Sequence, residues 1–189
     1  VAFSVDAPNR YISVNFVGPD NRHPELGWIK HMFCVFVDPL ETEVPEQGGP
    51  GVVVYSKDVD SDALKTAKAI YFPAGYHNLR DYGGRGIIDV DGQLRLQDNQ
   101  ALYLSGGAFV EGLVESAAKS CRGQRVYGRG LLTARQYLWR NHPDHTGPTY
   151  GHILGLGRDG NVDGVMLIES PHHGIVGGPT TITNVKMLG

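Results

Sequence analysis

Residues able to contact a ligand concentrate between Tyr137 and Tyr150, where Tyr137, Trp139, His142, Asp144, His145 and Tyr150 mix flat apolar rings with polar tips. Such a mixture suits the C–H faces and hydroxyl rims of sugar rings, by stacking and by hydrogen bonding. An ordinary surface loop can have the same composition, and the residue types alone leave both readings open. His172 and His173 follow Pro171 and precede Gly174 at a strand–turn junction, where they either line a groove or form a plain polar turn. His142, Asp144, His145 and His152 are donor types that zinc accepts, yet no cysteine accompanies them and no helical His-x-x-x-His is present, so neither a metal nor a cofactor is expected. The candidate substrate-binding set is Tyr137, Trp139, His142, His145, His152, His172 and His173.

Acid–base chemistry needs carboxyls that converge on one point. Asp89 and Asp91 share a strand face by spacing, but Asp91-Gly92 reads as a solvated turn. Glu111 and Glu115 flank Gly112 to Val114 as exposed coil edges, and Asp163 and Glu169 bracket a strand without an obvious partner. None is assigned a catalytic role. The segment Gly155-Leu-Gly-Arg-Asp-Gly160 has the Gly-x-Gly-x-x-Gly form of a dinucleotide turn, but a strand-like run follows it where a helix would be required, so it reads as a plain turn.

The elements that must carry these residues are short. With 26 Gly, 11 Pro and apolar runs of strand length, the 189 residues favour an all-β fold rich in turns. Ala2–Val5, Tyr11–Val17, Met32–Val37 and Val52–Tyr55 predict a β-sandwich-like unit over about residues 1–60, with Cys34 in its core. Ser61 to Lys68 is the one short helix expected, capped by Ser61. From Ile70 onward, strand runs separated by Asn or Gly turns recur: Tyr103 to Tyr127 spans 24 residues and Met166 to Lys186 spans 20, about one coil of a stacked repeat each. Leu94, Leu96, Leu102, Leu104, Val126 and Val185 are expected to line one interior, and Asn99, Asn161 and Asn184 to turn the corners in left-handed backbone. The stretch Gln136 to Tyr150 is too polar for a buried strand and should leave the stack as a loop. A net charge of −3 without runs of one sign argues against nucleic acid or an anionic membrane as partner, and no span of 18 apolar residues occurs.

Ile70-Tyr-Phe-Pro-Ala-Gly-Tyr76, Leu94-Arg-Leu96, Gln100-Ala-Leu-Tyr-Leu-Ser-Gly-Gly-Ala-Phe-Val-Glu-Gly-Leu-Val114 and Val126-Tyr-Gly-Arg-Gly-Leu-Leu132 together resemble the dextranase and isopullulanase glycoside hydrolases, relatives of the polygalacturonases. The resemblance implies a right-handed parallel β-helix over about residues 61–189, preceded by a β-sandwich-like domain. It further implies inverting, endo-acting hydrolysis of a polysaccharide, an α-glucan in the dextranase branch, by a secreted or periplasmic enzyme. That family's pair of adjacent aspartates has no counterpart in this sequence, so the catalytic coils, and with them the remainder of the β-helix, are expected beyond these residues. A polysaccharide lyase, a polygalacturonase-like pectin-degrading enzyme and a non-catalytic carbohydrate-binding β-helix remain the alternatives.

Overall fold

The computed structural model describes residues 4–16, 18, 21–22, 25, 32–139, 141–144, 146, 148–178 and 180–188, and divides into two compact units, Val1–Thr42 and Glu43–Gly189. In the first unit, β1 (Arg10–Asn15) and β2 (Met32–Val37) pair antiparallel, Arg10 opposite Val37 and Asn15 opposite Met32. Cys34 is exposed here, not buried as its apolar run suggests, because among the described residues this two-stranded ribbon has no second layer to bury it. Ser4 and Val5 carry no strand, while Ala2, Phe3 and Val17 lie outside the described residues.

The second unit is a parallel β-helix. Sheet 1 stacks β3 (Val52–Val54), β4 (Ala69–Phe72), β7 (Ala101–Leu104), β10 (Arg125–Gly128), β13 (Gly160–Asp163) and β16 (Thr180–Thr183). Sheet 2 stacks β5 (Gly75–Asn78), β8 (Ala108–Glu111), β11 (Leu131–Thr133), β14 (Met166–Ile168) and β17 (Lys186–Leu188). Sheet 3 stacks β6 (Gln93–Leu96), β9 (Leu113–Ser116), β12 (His152–Leu156) and β15 (His173–Gly177). From β4 onward the chain visits the three sheets in turn, so each neighbour in a sheet is one coil away in sequence, while β3 joins sheet 1 directly before β4.

Register partners Ala69, Ala101, Arg125, Asn161 and Thr181 mark successive coils of 32, 24, 36 and 20 residues. The expected pairings of Tyr103 with Tyr127 and of Met166 with Lys186 are both present. Val52–Val54, grouped by sequence with the N-terminal strands, instead pairs in parallel with Ala69–Tyr71, and the compact units part after Thr42 rather than near residue 60. Three valines in a row suit a ladder position as well as a sandwich strand, and only the long-range partner decides.

Inside the coils, Ile70, Leu102, Val126 and Val162 occupy one register of sheet 1 and are fully buried, as are Leu94, Leu96 and Leu104, while Val185 packs against the same core partly buried. Sheet 1 is covered on its outer face too. Tyr71, Tyr103 and Tyr127 stack there with ring centroids 5.1 Å apart at each step, and all three are buried. Gln47 Nε2 donates to Tyr71 Oη at 3.0 Å, Glu43 pairs with Arg125, and the Arg125 guanidinium lies 4.2 Å from the Tyr127 ring centre, so the segment from Glu43 to Gly51 straps across this face.

The helix α1 (Ser61–Thr66) begins one residue later than its cap: Asp60, not Ser61, accepts from Ala63 N at 2.8 Å. Left-handed backbone occurs at Asn99, Asp159 and Asn184, whereas Asn161 sits inside β13 and its turn is made by Asp159 two residues earlier. Where sheet 3 passes to sheet 1, two glutamines are buried one above the other. Gln100 Nε2 donates to the carbonyls of Leu64 and Ala67, both at 2.8 Å, and its Oε1 accepts from Gln97 N at 3.1 Å. Gln124 Nε2 donates to Leu96 O at 2.5 Å and its Oε1 accepts from Gly157 N at 2.8 Å. Each bonds backbone groups at the corner, Leu96 O accepting from Ala117 N at 2.8 Å as well.

Two substitutions test this packing by denaturant unfolding of the folded chain. Leu104→Ala should cost about 2–5 kcal/mol by leaving a cavity in the coil interior. Gln124→Leu keeps the volume but orphans Gly157 N and leaves Leu96 O with Ala117 N alone, and should cost on the order of 1–3 kcal/mol for the amide left unpaired. A loss near zero for either variant would contradict the packing described.

Candidate functional site

Both long coils are long for the same reason. Their extra residues, 79–92 and 134–151, leave the stack at the corner between sheets 2 and 3, while the coil between them turns that corner on Gly112 alone. A Cβ on Gly112 would stand 2.8 Å from Gly92 O and closer still to the Leu79 side chain. The glycine is required because both ends of the first insertion close over it. The first insertion opens with a 3-10 turn, Leu79–Tyr82, and returns through Asp89, which accepts from Asp91 N at 3.1 Å and Gln93 N at 3.0 Å. Asp89 and Asp91-Gly92 therefore form a turn, in keeping with the sequence.

The second insertion is anchored by its two tyrosines. Tyr137 is buried in the main core, donates from its hydroxyl to Asp91 O at 2.5 Å, and lies 4.8 Å from Tyr150 in an edge-to-face contact. Burial pushes the Tyr137 hydroxyl well above the usual phenol range, and burial with the Asp91 carboxylate pushes Tyr150 up to about 12. Tyr137 thus offers no free ring face to a sugar. The ring is spent on holding the loop. The expected pairing of Tyr137 with Trp139 as stacking surfaces fails for this reason, since a polar-tipped aromatic at a loop root gains more by filling the corner than by facing water. Trp139 is 50% exposed beside the exposed Leu138. His142 accepts from Asp144 N at 3.1 Å within the same turn, and His145 lies outside the described residues. A small concavity of about 160 Å³ between the insertions is lined by Arg80, Asp91, Leu138, Asp144 and Tyr150 among others.

Beyond the insertion the structure gathers three histidines at the start of sheet 3. His152 and His173 are register partners, and the exposed His172 and His173 rings stack with centroids 3.9 Å apart. His173 N donates to Gly151 O at 3.0 Å, so this edge adjoins the end of the insertion. No group of three or more His, Cys, Asp or Glu among the described residues is arranged to hold a metal ion.

The sequence reading treats Glu111 as an exposed edge, and here the structure corrects it. Glu111 is only 5% exposed on the outer face of sheet 2, where it accepts from Tyr76 Oη at 2.6 Å and from Arg135 Nη2 at 2.9 Å. Tyr76 lies 35 residues away in sequence, and no local pattern announces it. Burial alone would raise the Glu111 carboxyl, but the hydrogen bonds from Arg135 and Tyr76, with the charges of Arg135 and Arg80, hold it below the usual range. Arg135 stands at the root of the insertion and also lies 5.3 Å from the Phe109 ring centre, so Glu111 ties that root to sheet 2. Thr133 donates to Glu169 Oε2 at 3.0 Å and accepts from Arg135 N at 3.2 Å. Asp163 gains partners as well: Thr183 at 2.6 Å, Asn184 at 2.9 Å and Arg129 at 3.7 Å. Against the opposing effect of burial, these hold its carboxyl low.

No family model and no curated protein matches the chain. A solved structure does: Dex49A from Penicillium minioluteum, with a TM-score of 0.67 at 18% identity over 98% of this chain. The two share the parallel β-helix fold. The chain spans 38% of the length of Dex49A.

Because the Glu111 carboxyl is depressed in the folded state, its contribution to stability is complete at neutral pH and is lost as pH falls through the folded-state value. Thermal melts of the wild type should therefore decline below the ordinary glutamate range. Glu111→Gln should lower stability at neutral pH and flatten that acid decline, and parallel curves for the two proteins would remove Glu111 from this role.

Proposed function

We propose that this chain is part of a polysaccharide-degrading glycoside hydrolase, acting by inversion within an α-glucan. On this reading the enzyme is secreted or periplasmic, and residues preceding the β-helix belong to a β-sandwich-like domain. The observation that supports it best is the β-helix fold shared with Dex49A, a dextranase, which agrees with the dextranase-like motifs from Ile70 to Leu132. The anchored insertion adds a physical reason. Tyr137 and Tyr150 fix its base, and Trp139 is left with half its surface open, the arrangement a sugar-stacking ring requires.

Inversion needs an acid and a base roughly 6.5–9.5 Å apart with room for water between them. Glu111 is closed off by Tyr76 and Arg135, and Asp163 is occupied by Thr183, Asn184 and Arg129. Neither is free to take or give a proton, so on this reading the acid–base pair belongs to coils outside these residues. The role left for this part of the β-helix is to hold sugar units along the stack, with Trp139, His172 and His173 as contacts.

Reducing-sugar release by the full-length protein from dextran, pullulan and polygalacturonate is the deciding measurement. Release from an α-glucan is expected, and cleavage of polygalacturonate alone would favour the pectin-degrading alternative. The 189-residue chain by itself should release nothing. Trp139→Ala and His173→Ala in the full-length enzyme should each weaken oligosaccharide binding by roughly 1–3 kcal/mol with little change in melting temperature. Unaltered binding in both variants would remove this edge from the substrate path.

A further inference from the structure

The outer face of sheet 3 carries a second constellation that the hydrolase reading does not use. His152 Nε2 lies 2.6 Å from Glu115 Oε1 and is closed off from solvent. The approach is off the axis of the ring N–H, so it is a charge contact rather than a straight hydrogen bond. The other ring nitrogen, Nδ1, has no protein partner among the described residues and is left for a ligand.

The dyad exists because Gly155 has no side chain. A Cβ there would collide with His152 Nε2 and stand 2.6 Å from Glu115 Oε2. The dyad opens on a concavity of about 480 Å³, within the size range of small-molecule sites, whose glycines leave a low floor. Lys119 and Arg158 also line it, both exposed and neither ion-paired among the described residues. Of the neighbouring charges, Arg122 and Asp159 neutralise each other. The backbone N–H groups of Gly157 and Arg158 are already taken by Gln124 Oε1 and Cys121 O, and the Ser116 hydroxyl by Ala118 O. Among the described groups, two cations, the outer oxygen of Glu115 and His152 Nδ1 remain for a ligand. Lys119 and Arg158 against Glu115 leave the concavity with an excess of positive charge.

We infer that this concavity binds a small hydroxylated molecule bearing one anionic group, an acidic sugar: Lys119 and Arg158 take the anion while His152 Nδ1 and Glu115 hydrogen-bond its hydroxyls. A neutral glucan would leave both cations unpaired, and inorganic phosphate would leave His152 and Glu115 unused. Trp139, His172 and His173 do not line the concavity, and binding there requires no bond to be made or broken.

The test is titration of the 189-residue chain with D-glucuronate, D-glucose 6-phosphate, D-glucose and inorganic phosphate, followed by calorimetry and by the His152 ring resonances. At least one acidic sugar should bind 10-fold or more tighter than glucose and than phosphate, and shift the His152 signals. The stronger of the two identifies the anion as carboxylate or phosphate ester. Lys119→Ala with Arg158→Ala should abolish that preference without changing the fold, since both side chains are exposed. Gly155→Ala, which displaces the dyad but spares the cations, should reduce acidic-sugar binding to the level of phosphate. Equal binding of glucose and the acidic sugars, equal binding of phosphate, or no binding by any probe would overturn the inference. Hydrolysis of glucans by the full-length protein is independent of each of these outcomes.

Discussion

The structure depends on one geometric demand: successive coils must return to the same register so that every strand finds its parallel neighbour above and below. Corners are where that demand is hardest to meet, because the backbone turns and its polar groups lose their ladder partners. Gln100 and Gln124 meet it from inside, each serving backbone groups on neighbouring segments with both ends of its amide. A hydrocarbon at either position would fill the same space and supply none of those bonds. The glutamines are thus as much a part of the ladder as the strands.

Once the register is fixed, surplus residues can go only outward. Two coils here hold more residues than the stack needs, and both release them at the corner between sheets 2 and 3. Gly112 allows the intervening coil to pass beneath. Stacking two insertions on each other gives the second a rigid base, built from Tyr137, Tyr150, Asp91 and Gly92. A loop held this way can present Trp139 to solvent at little entropic cost on binding.

Charged groups on the outer faces fall into two kinds. Glu111 and Asp163 are saturated with donors, which lowers their affinity for protons and removes them from proton transfer. Among the described residues Glu115 and His152 have only each other as charged partners, in a concavity whose Lys119 and Arg158 are unpaired. The first kind holds sheets and insertion together; the second is where a ligand would gain most.

The sequence by itself determined the interior. Alternation in Leu94–Leu96 and Leu102–Leu104, and the spacings from Tyr103 to Tyr127 and from Met166 to Lys186, follow from local backbone geometry, because a strand must alternate and a coil must close within a narrow length. The polar stretch after Gln136 could only be a loop for the same reason. Everything on the outer faces was decided by tertiary structure. Whether Tyr137 is an anchor or a platform, whether Tyr103 is covered, and whether Glu111 is exposed or clamped depends on Asp91, the strap from Glu43 to Gly51, and Tyr76, each brought near by register across dozens of residues. Side chains that point outward obey no local period of polarity. Their environment is set by whichever distant segment the stacked coils bring against them.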